Sequence, residues 1–331
     1  HEIINLKELS KKLLNPEKKP FVWDIDFAEI FGDKGGFDIV IGNPPYVRQE
    51  MISPPNKIKS EVTIEERRYY KYLLIESVIN IFPAINKINK KSDYYIYFYF
   101  HALGLLNQKG TLCFITSNSW LDVEYGKDLQ EFLLKYVSLI EIYDNPKRSF
   151  IHADINTVIS LFGAPLFLKQ SAETTLRSTT NYEWTALNNI SKFIMLKRPF
   201  EEILTSRIMI EIEKINISSK NGSLTELVNN IVNTDYYRVF PILHEDLLED
   251  GWEYPENCGK QKNRFSLGNY VGNKWGGKYL RAPDIFYTIL RKGKDKLILL
   301  RDIAKIRRGF TTGANEFFYL DVNAQNKWKI E

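Results

Sequence analysis

Cysteine is almost absent: Cys113 and Cys258 are the only two in 331 residues. They stand far apart, with no CxxC and no His/Cys cluster, so neither a disulfide framework nor a thiolate metal site is supported. Cys113 lies in an apolar, strand-like run, where a thiol packs as a small hydrophobe. So few cysteines fit a reducing compartment, and the cytoplasm is the expected location. Long hydrophobic runs are lacking too. The longest, "YYIYFYFHALGLL", is too short to cross a bilayer and carries His101, so no membrane contact is expected. A large excess of one charge is also lacking: 45 Lys+Arg stand against 41 Asp+Glu, a net +4. That balance by itself says nothing for or against nucleic acid. No internal repeat and no long low-complexity tract interrupts the chain.

What is present is an ordinary globular composition, 44% hydrophobic and 26% charged. The length exceeds one small core and predicts a large domain with a second unit. Charge is uneven along the chain. Between Cys258 and Phe310 there are fourteen Lys/Arg, opposed only by Asp284, Asp295 and Asp302. Such a stretch is either a solvated face or a footprint of phosphate binding. The opening, "HEIINLKELSKKLL", reads as a helix from about Asn5 to Leu14, entered midway and stopped before Pro16. We expect the chain to be a piece of a longer polypeptide.

Hydrophobic period orders the first half. "FDIVIGN" is a short apolar run, a buried strand. "TIEERRYYKYLLIESVINIF" has helical spacing, and residues 93–107 form a second helix closed by "NQKG". "TLCFIT" is the next strand, "GKDLQEFLLKY" the next helix, and "LIEIYD" and "INTVISLF" two more strands. Strand and helix in alternation predict a parallel sheet with helices on its faces. The last two strands lack a helix between them and are expected to pair antiparallel. From Leu166 to Gly251 the pattern is short and mixed.

One loop stands out. "IGNPPYV" follows the first strand directly, at the strand end where open α/β sheets place their ligands. Pro44 and Pro45 lack N–H groups and fix two φ angles, leaving carbonyls at set directions. An exocyclic amine such as that of adenine is a poor nucleophile, its lone pair spread into the ring. The Asn43 side-chain oxygen and a proline carbonyl can each accept one of its N–H groups. Held so, the nitrogen points its lone pair at an electrophile. The Tyr46 ring offers a face for an extruded base. The same four letters also make an ordinary turn, since Asn-Pro and Pro-Pro are turn dipeptides; the preceding strand and the alternation after it favour a site.

"GFDIVIGNPPYV" resembles the catalytic loop of amino-group methyltransferases that use S-adenosylmethionine. "SDYYIYFYFHALGLLNQKGTLCFITSNSWL" and "SFIHADINTVISLF" resemble, in order, the later pieces of the TaqI-type N6-adenine DNA methyltransferases. The resemblance covers roughly Phe21 to Phe162. It implies an α/β fold, the C-terminal part of a Rossmann-like methyltransferase sheet. It implies a catalytic loop of Asn43, Pro44, Pro45 and Tyr46, with Tyr46 and Phe150 clamping a flipped adenine. It puts Asn43 and Phe98 against S-adenosylmethionine, with no metal. The partner implied is double-stranded DNA with one adenine flipped.

The C-terminal part, in "KYLRAPDIFYTIL" and "DIAKIRRGFTTGANEFFYL", resembles the junction into the target-recognition domain of type IIG restriction–modification enzymes. The expected division is therefore 1–165, the catalytic half of the methyltransferase; 166–295, a mixed α+β connecting region; and 296–331, the start of a DNA target-recognition domain. The family's Gly-rich cofactor loop has no match before Phe37, since Gly32, Gly35 and Gly36 sit directly before the NPPY strand. The missing N-terminal part of the same polypeptide is accordingly an expected partner, and the isolated chain is expected to be inactive. The alternatives are a protein glutamine or RNA adenine methyltransferase, whose kin also carry NPPY, or a piece that only binds DNA.

Overall fold

The computed structural model describes residues 21–146 apart from 56 and 86, 155–166, 184–217 apart from 204, 228–255, 265–304 apart from 294, 295 and 299, and 322–328. The helix expected over 5–14 and the ring of Phe150 lie outside the described residues.

A seven-stranded sheet organises the larger of two compact units, 1–291. Its strands are β1 (Phe37–Gly42), β2 (Leu106–Ser117), β3 (Ile140–Asp144), β4 (Thr157–Gly163), β5 (Ile190–Leu196), β6 (Val232–Asn233) and β7 (Tyr237–Leu243). Their spatial order is β1-β2-β4-β3-β5-β7-β6. β1 and β2 are parallel, as are β3 and β5, while β4 and β7 run against their neighbours. Five strands therefore share one direction, in a mixed α/β layer. The antiparallel pairing of "LIEIYD" with "INTVISLF" is present as Ile140↔Phe162 to Asp144↔Val158. β4 also pairs with β2, so it lies between two strands that precede it in the chain.

The helices follow the expected periods, with two adjustments. α1 (Ile64–Ile81) starts at a capping box: Thr63 Oγ1 accepts from Glu66 N at 3.2 Å, and Thr63 N donates to Glu66 Oε2 at 3.0 Å. α2 (Tyr94–Gly104) ends three residues short of the expected 107. "NQKG" is not a closing turn but an excursion inside β2. Phe37 pairs with Leu106 and Ile39 with Thr111, so residues 107–110 bulge from the ladder. Asn107 Nδ2 fastens the bulge to Asp38 Oδ1 at 2.6 Å. α2 is built from aromatic residues that favour strands, yet burial outweighs propensity: Tyr95, Ile96, Tyr97, Tyr99, Phe100 and Leu103 all enter the core. Tyr99 reaches across the sheet to Thr116 Oγ1 (2.8 Å) and Ser160 Oγ (2.9 Å), which satisfies its buried hydroxyl.

The sheet does not stop near 165, where the sequence pattern changes. β5 continues it from β3, and β7 and β6 follow. β7 is buried at every position, so it has no alternation to read. It also contains Arg238 and Pro241, which disguise a strand. Pro241 lies past the two residues that β6 covers, near an open edge where a missing N–H is tolerated. Arg238, only 2% exposed, is paid for by Asp284 Oδ1 (2.5 Å) and the Leu280 carbonyl (2.9 Å). α3 (Lys127–Tyr136) and α4 (His244–Asp250) pack beside the sheet. α5 (Asp284–Lys292) lies at the end of this unit. The second unit, 292–331, is described as two short helices, Leu300–Ile303 and Val322–Trp328.

At the opposite margin, β1 pairs on one side only among the described residues. The buried strand expected of "FDIVIGN" is not buried: Ile39 and Ile41 are 68% and 77% exposed, because at this margin one face of the strand has nothing packed on it among the described residues. Among the described residues, no helix is long and apolar enough to cross a membrane, and no group of His, Cys, Asp or Glu is placed to hold a metal ion.

Candidate active site

The loop after β1 leaves the sheet at Gly42 and is fastened at three points. Tyr46 Oη donates to the Ile115 carbonyl of β2 at 3.0 Å. Val47 N donates to Pro45 O at 3.0 Å, and Val47 O accepts from Tyr94 N at 2.9 Å at the start of α2. Gln49 N then donates to Asp93 Oδ1 at 2.9 Å. Asp93 Oδ2 accepts from Tyr125 Oη at 2.7 Å, and that hydroxyl lies 2.9 Å from Tyr95 Oη. The prolines and these bonds together make the loop stiff.

Within it, Pro44 is buried, Tyr46 is half-buried, and Asn43 and Pro45 are exposed. Burial pushes the Tyr46 phenol up to about 12, so it stays neutral and keeps its proton for Ile115. The Asn43 side chain makes no hydrogen bond among the described residues. Its amide oxygen therefore stands at the carboxyl end of β1 with both lone pairs available. The geometry offers two acceptors, amide and carbonyl, beside a ring whose hydroxyl is already committed.

Phe98 is the other expected site residue within the described part. In "YYIYFYF" the five residues Tyr95, Ile96, Tyr97, Tyr99 and Phe100 are buried, Tyr94 is half-buried, and Phe98 is 37% exposed. Tyr94 braces it edge-on, with ring centroids 5.2 Å apart. An exposed ring on an otherwise buried helix face is the kind of surface that takes a flat ligand. Phe150 lies outside the described residues, so the proposed clamp is seen from the Tyr46 side alone.

Other residues of this region were not singled out by pattern. Gln130, 1% exposed on α3, uses both ends of its amide. Nε2 donates to Trp120 O (3.1 Å), Leu121 O (3.2 Å) and Asn273 O (3.3 Å), and Oε1 accepts from Tyr270 Oη (2.9 Å) and Asn273 N (3.3 Å). It joins the turn after β2 to a segment about 143 residues away, and a lone glutamine in an amphipathic helix carries no signal of that. The basic stretch is also partly internal. Lys278 pairs with Asp250, and Arg281 Nη2 with Asp122 Oδ2 at 2.5 Å, so these two cations are held by the chain's own carboxylates.

Residues 1–150 match the sequence profile of the Eco57I restriction-modification methylase. Over 306 residues the chain is 24% identical to the type II methyltransferase M.BstVI of Geobacillus stearothermophilus, an alignment covering 91% of this chain and 39% of that protein. It is 29% identical over 122 residues to the type II methyltransferase M.PaeR7I of Pseudomonas aeruginosa, covering 37% of this chain and 18% of the relative. The chain thus spans well under half of the curated relatives it matches. Among solved structures, a type I restriction-modification methyltransferase subunit from Streptococcus thermophilus aligns at 16% identity and a TM-score of 0.37, over 66% of this chain and 36% of the other.

Proposed function

From the match of residues 1–150 to the Eco57I restriction-modification methylase profile, we propose that the complete protein is a site-specific DNA adenine-N6 methyltransferase of a restriction–modification system. The observation that carries this reading is the Asn43 amide. It is exposed, and unengaged among the described residues, at the end of β1, beside a tyrosine anchored by its own hydroxyl.

In this reading an adenine flipped out of double-stranded DNA stacks on Tyr46, with Phe150 on its other face. The Asn43 oxygen and a proline carbonyl accept the two amine N–H groups and turn the nitrogen lone pair toward the donor. S-adenosylmethionine, when bound, supplies the electrophilic methyl group. Phe98 and Asn43 are the groups of this chain that would face it. They fit its flat and polar parts, but they offer no cradle of backbone N–H groups. The margin of β1 that has no partner among the described residues is where an N-terminal part of the same polypeptide would complete the sheet and the cofactor site. Residues 296–331 would open a target-recognition domain, and the remaining cations of 258–310 would contact phosphates. The isolated chain would then be inactive.

Methyl transfer by the complete polypeptide from labelled S-adenosylmethionine to duplex DNA, RNA and glutamine-containing peptides tests the reading. Label in N6-methyladenine of DNA is expected. Label confined to peptide or RNA would replace it with one of the alternatives.

A further inference from the structure

Arg281 reaches the carboxyl side of the sheet from far along the chain. Its Nη2 donates to Asp122 Oδ2 at 2.5 Å, and the backbone N–H of Gly277 donates to Asp122 Oδ1 at 2.9 Å. Both oxygens of one carboxylate are thus gripped by a single π-helical turn, Gly276–Leu280 and the residue that ends it. Arg281 N closes the turn onto Gly276 O at 2.8 Å. Gly276 has to be a glycine for this: a Cβ there would stand 2.5 Å from Asp122 Oδ2 and closer still to Arg281 Nη2.

Asp122 ends the turn that follows β2, and that turn shares a cleft with the residues just past the NPPY loop. Asp122 N donates to Ser119 O at 3.1 Å. Ser119, Val123, Glu124 and Tyr125 line a cleft of about 450 Å³ together with Arg48, Gln49 and Glu50. Tyr125 ties this turn to Asp93, and Asp93 ties it to Gln49 N, three residues past Tyr46. Hydrogen bonds therefore run between the Asp122 turn and the catalytic loop.

On the other side stands Asp144, the last residue of β3. Burial pushes its carboxyl up to about 6, with Arg281 pulling it down and Asp122 pushing it up. Its partners in the sheet, Val158 on β4 and Met195 on β5, are uncharged. Beyond Met195, Arg238 on β7 is engaged by Asp284, and Glu141 on β3 is paired with Lys192. Among the described residues, Arg281 and Asp122 are the charges that act on Asp144.

We infer that Arg281 is a positioning residue for the methyl-transfer site: through Asp122 it holds the turn that faces, across the cleft, the residues just past the NPPY loop. The inference rests on the adenine-methyltransferase reading above.

The test uses the complete polypeptide and compares wild type with Arg281→Met, Arg281→Lys, Asp122→Asn and Gly276→Ala. A duplex with 2-aminopurine at the target reports the extruded base, and kcat and KM are followed from about pH 5 to pH 8. Arg281→Met is expected to lower kcat by about 10-fold to 100-fold, the scale of a ~1 Å misplacement, with KM for DNA within about 2-fold. The 2-aminopurine signal falls with it, and Arg281→Lys restores part of both. The acid limb of kcat moves in opposite directions. Losing the Arg281 cation raises the Asp144 pKa and shifts the limb to higher pH; losing the Asp122 charge lowers it and shifts the limb to lower pH.

A merely structural role would lower the melting temperature and leave the limb in place. Variants that fold like wild type and share its pH profile and fluorescence overturn the inference. If Arg281→Met does not fold, Asp122→Asn and Arg281→Lys, which nearly conserve shape, decide it by the same profiles. If wild type methylates no adenine, the underlying reading falls and takes this one with it. If wild type methylates adenine and the variants track it, this inference alone falls.

Discussion

Tyr46 Oη donates to the backbone carbonyl of Ile115 at 3.0 Å, which ties the loop after β1 to the neighbouring strand β2. The bond leaves the ring faces out of the tether, so anchoring and stacking are separable. Tyr46→Phe removes the anchor and keeps the face. It should cost about 1 kcal/mol in urea unfolding, the net worth of one hydrogen bond, while an extruded 2-aminopurine is still trapped by the complete enzyme. Tyr46→Ala removes both and should weaken trapping by a further ~1–3 kcal/mol. Equal fluorescence in the two variants would assign Tyr46 to packing alone.

Asn43 has the opposite character: exposed, and unengaged among the described residues. Its removal has little to destabilise. Asn43→Ala in the complete enzyme should leave the melting temperature and the KM for DNA almost unchanged. Turnover should fall by two to three orders of magnitude, about 3–4 kcal/mol for a donor or acceptor aimed at the reacting centre. Steady-state kinetics with normal turnover in this variant would remove Asn43 from the mechanism.

His244 sits at the start of α4 with 0% exposure, one ring nitrogen 3.2 Å from the Leu134 carbonyl and the other buried without a partner among the described residues. Burial pulls its pKa down to about 4. The folded protein therefore holds it neutral, whereas the unfolded chain binds a proton near the ordinary 6.5. The corresponding stability is complete above about pH 6.5 and is lost as the pH falls toward 4. At 1.36 kcal/mol per unit the full loss is about 3 kcal/mol. Urea titrations at several pH values check this, and His244→Asn should flatten the dependence. A profile unchanged by the substitution would place the acid sensitivity elsewhere.

The margin of β1, unpaired on one side among the described residues and with Ile39 and Ile41 exposed, joins a second observation: the glycines before Phe37, at 32, 35 and 36, adjoin β1 itself and do not follow an earlier strand in the pattern. If no loop of this chain supplies backbone donors, the polar ends of S-adenosylmethionine are desolvated unpaired, which is costly. Calorimetric titration of this 331-residue chain should show no S-adenosylmethionine binding. Micromolar binding would mean that the chain supplies its own cofactor cradle in another form.

The NPPY loop and its place at a strand end were legible because everything that makes them is local. A short apolar run ends at Gly42, and two prolines follow at once. The helices α1 and α2 are likewise announced by the helical spacing of their apolar residues. These features depend on residues a few positions apart, so the amino-acid sequence by itself determined them.

Only the tertiary structure decided the rest. That β4 enters between β2 and β3, and that β5 and β7 extend the sheet past 165, are non-local pairings for which several partners satisfy the same pattern. β7 hid because burial on both faces erases alternation and because Arg238 and Pro241 read as breaks until Asp284 and the open edge are seen. Which ring of "YYIYFYF" stays exposed depends on what packs against each face, and the answer was Phe98. Arg281 looked like one more cation of a basic stretch. Its carboxylate lies 159 residues earlier, and no spacing rule connects two charges across that distance; the fold brings them together because both the turn after β2 and the turn before α5 end on the same side of the sheet.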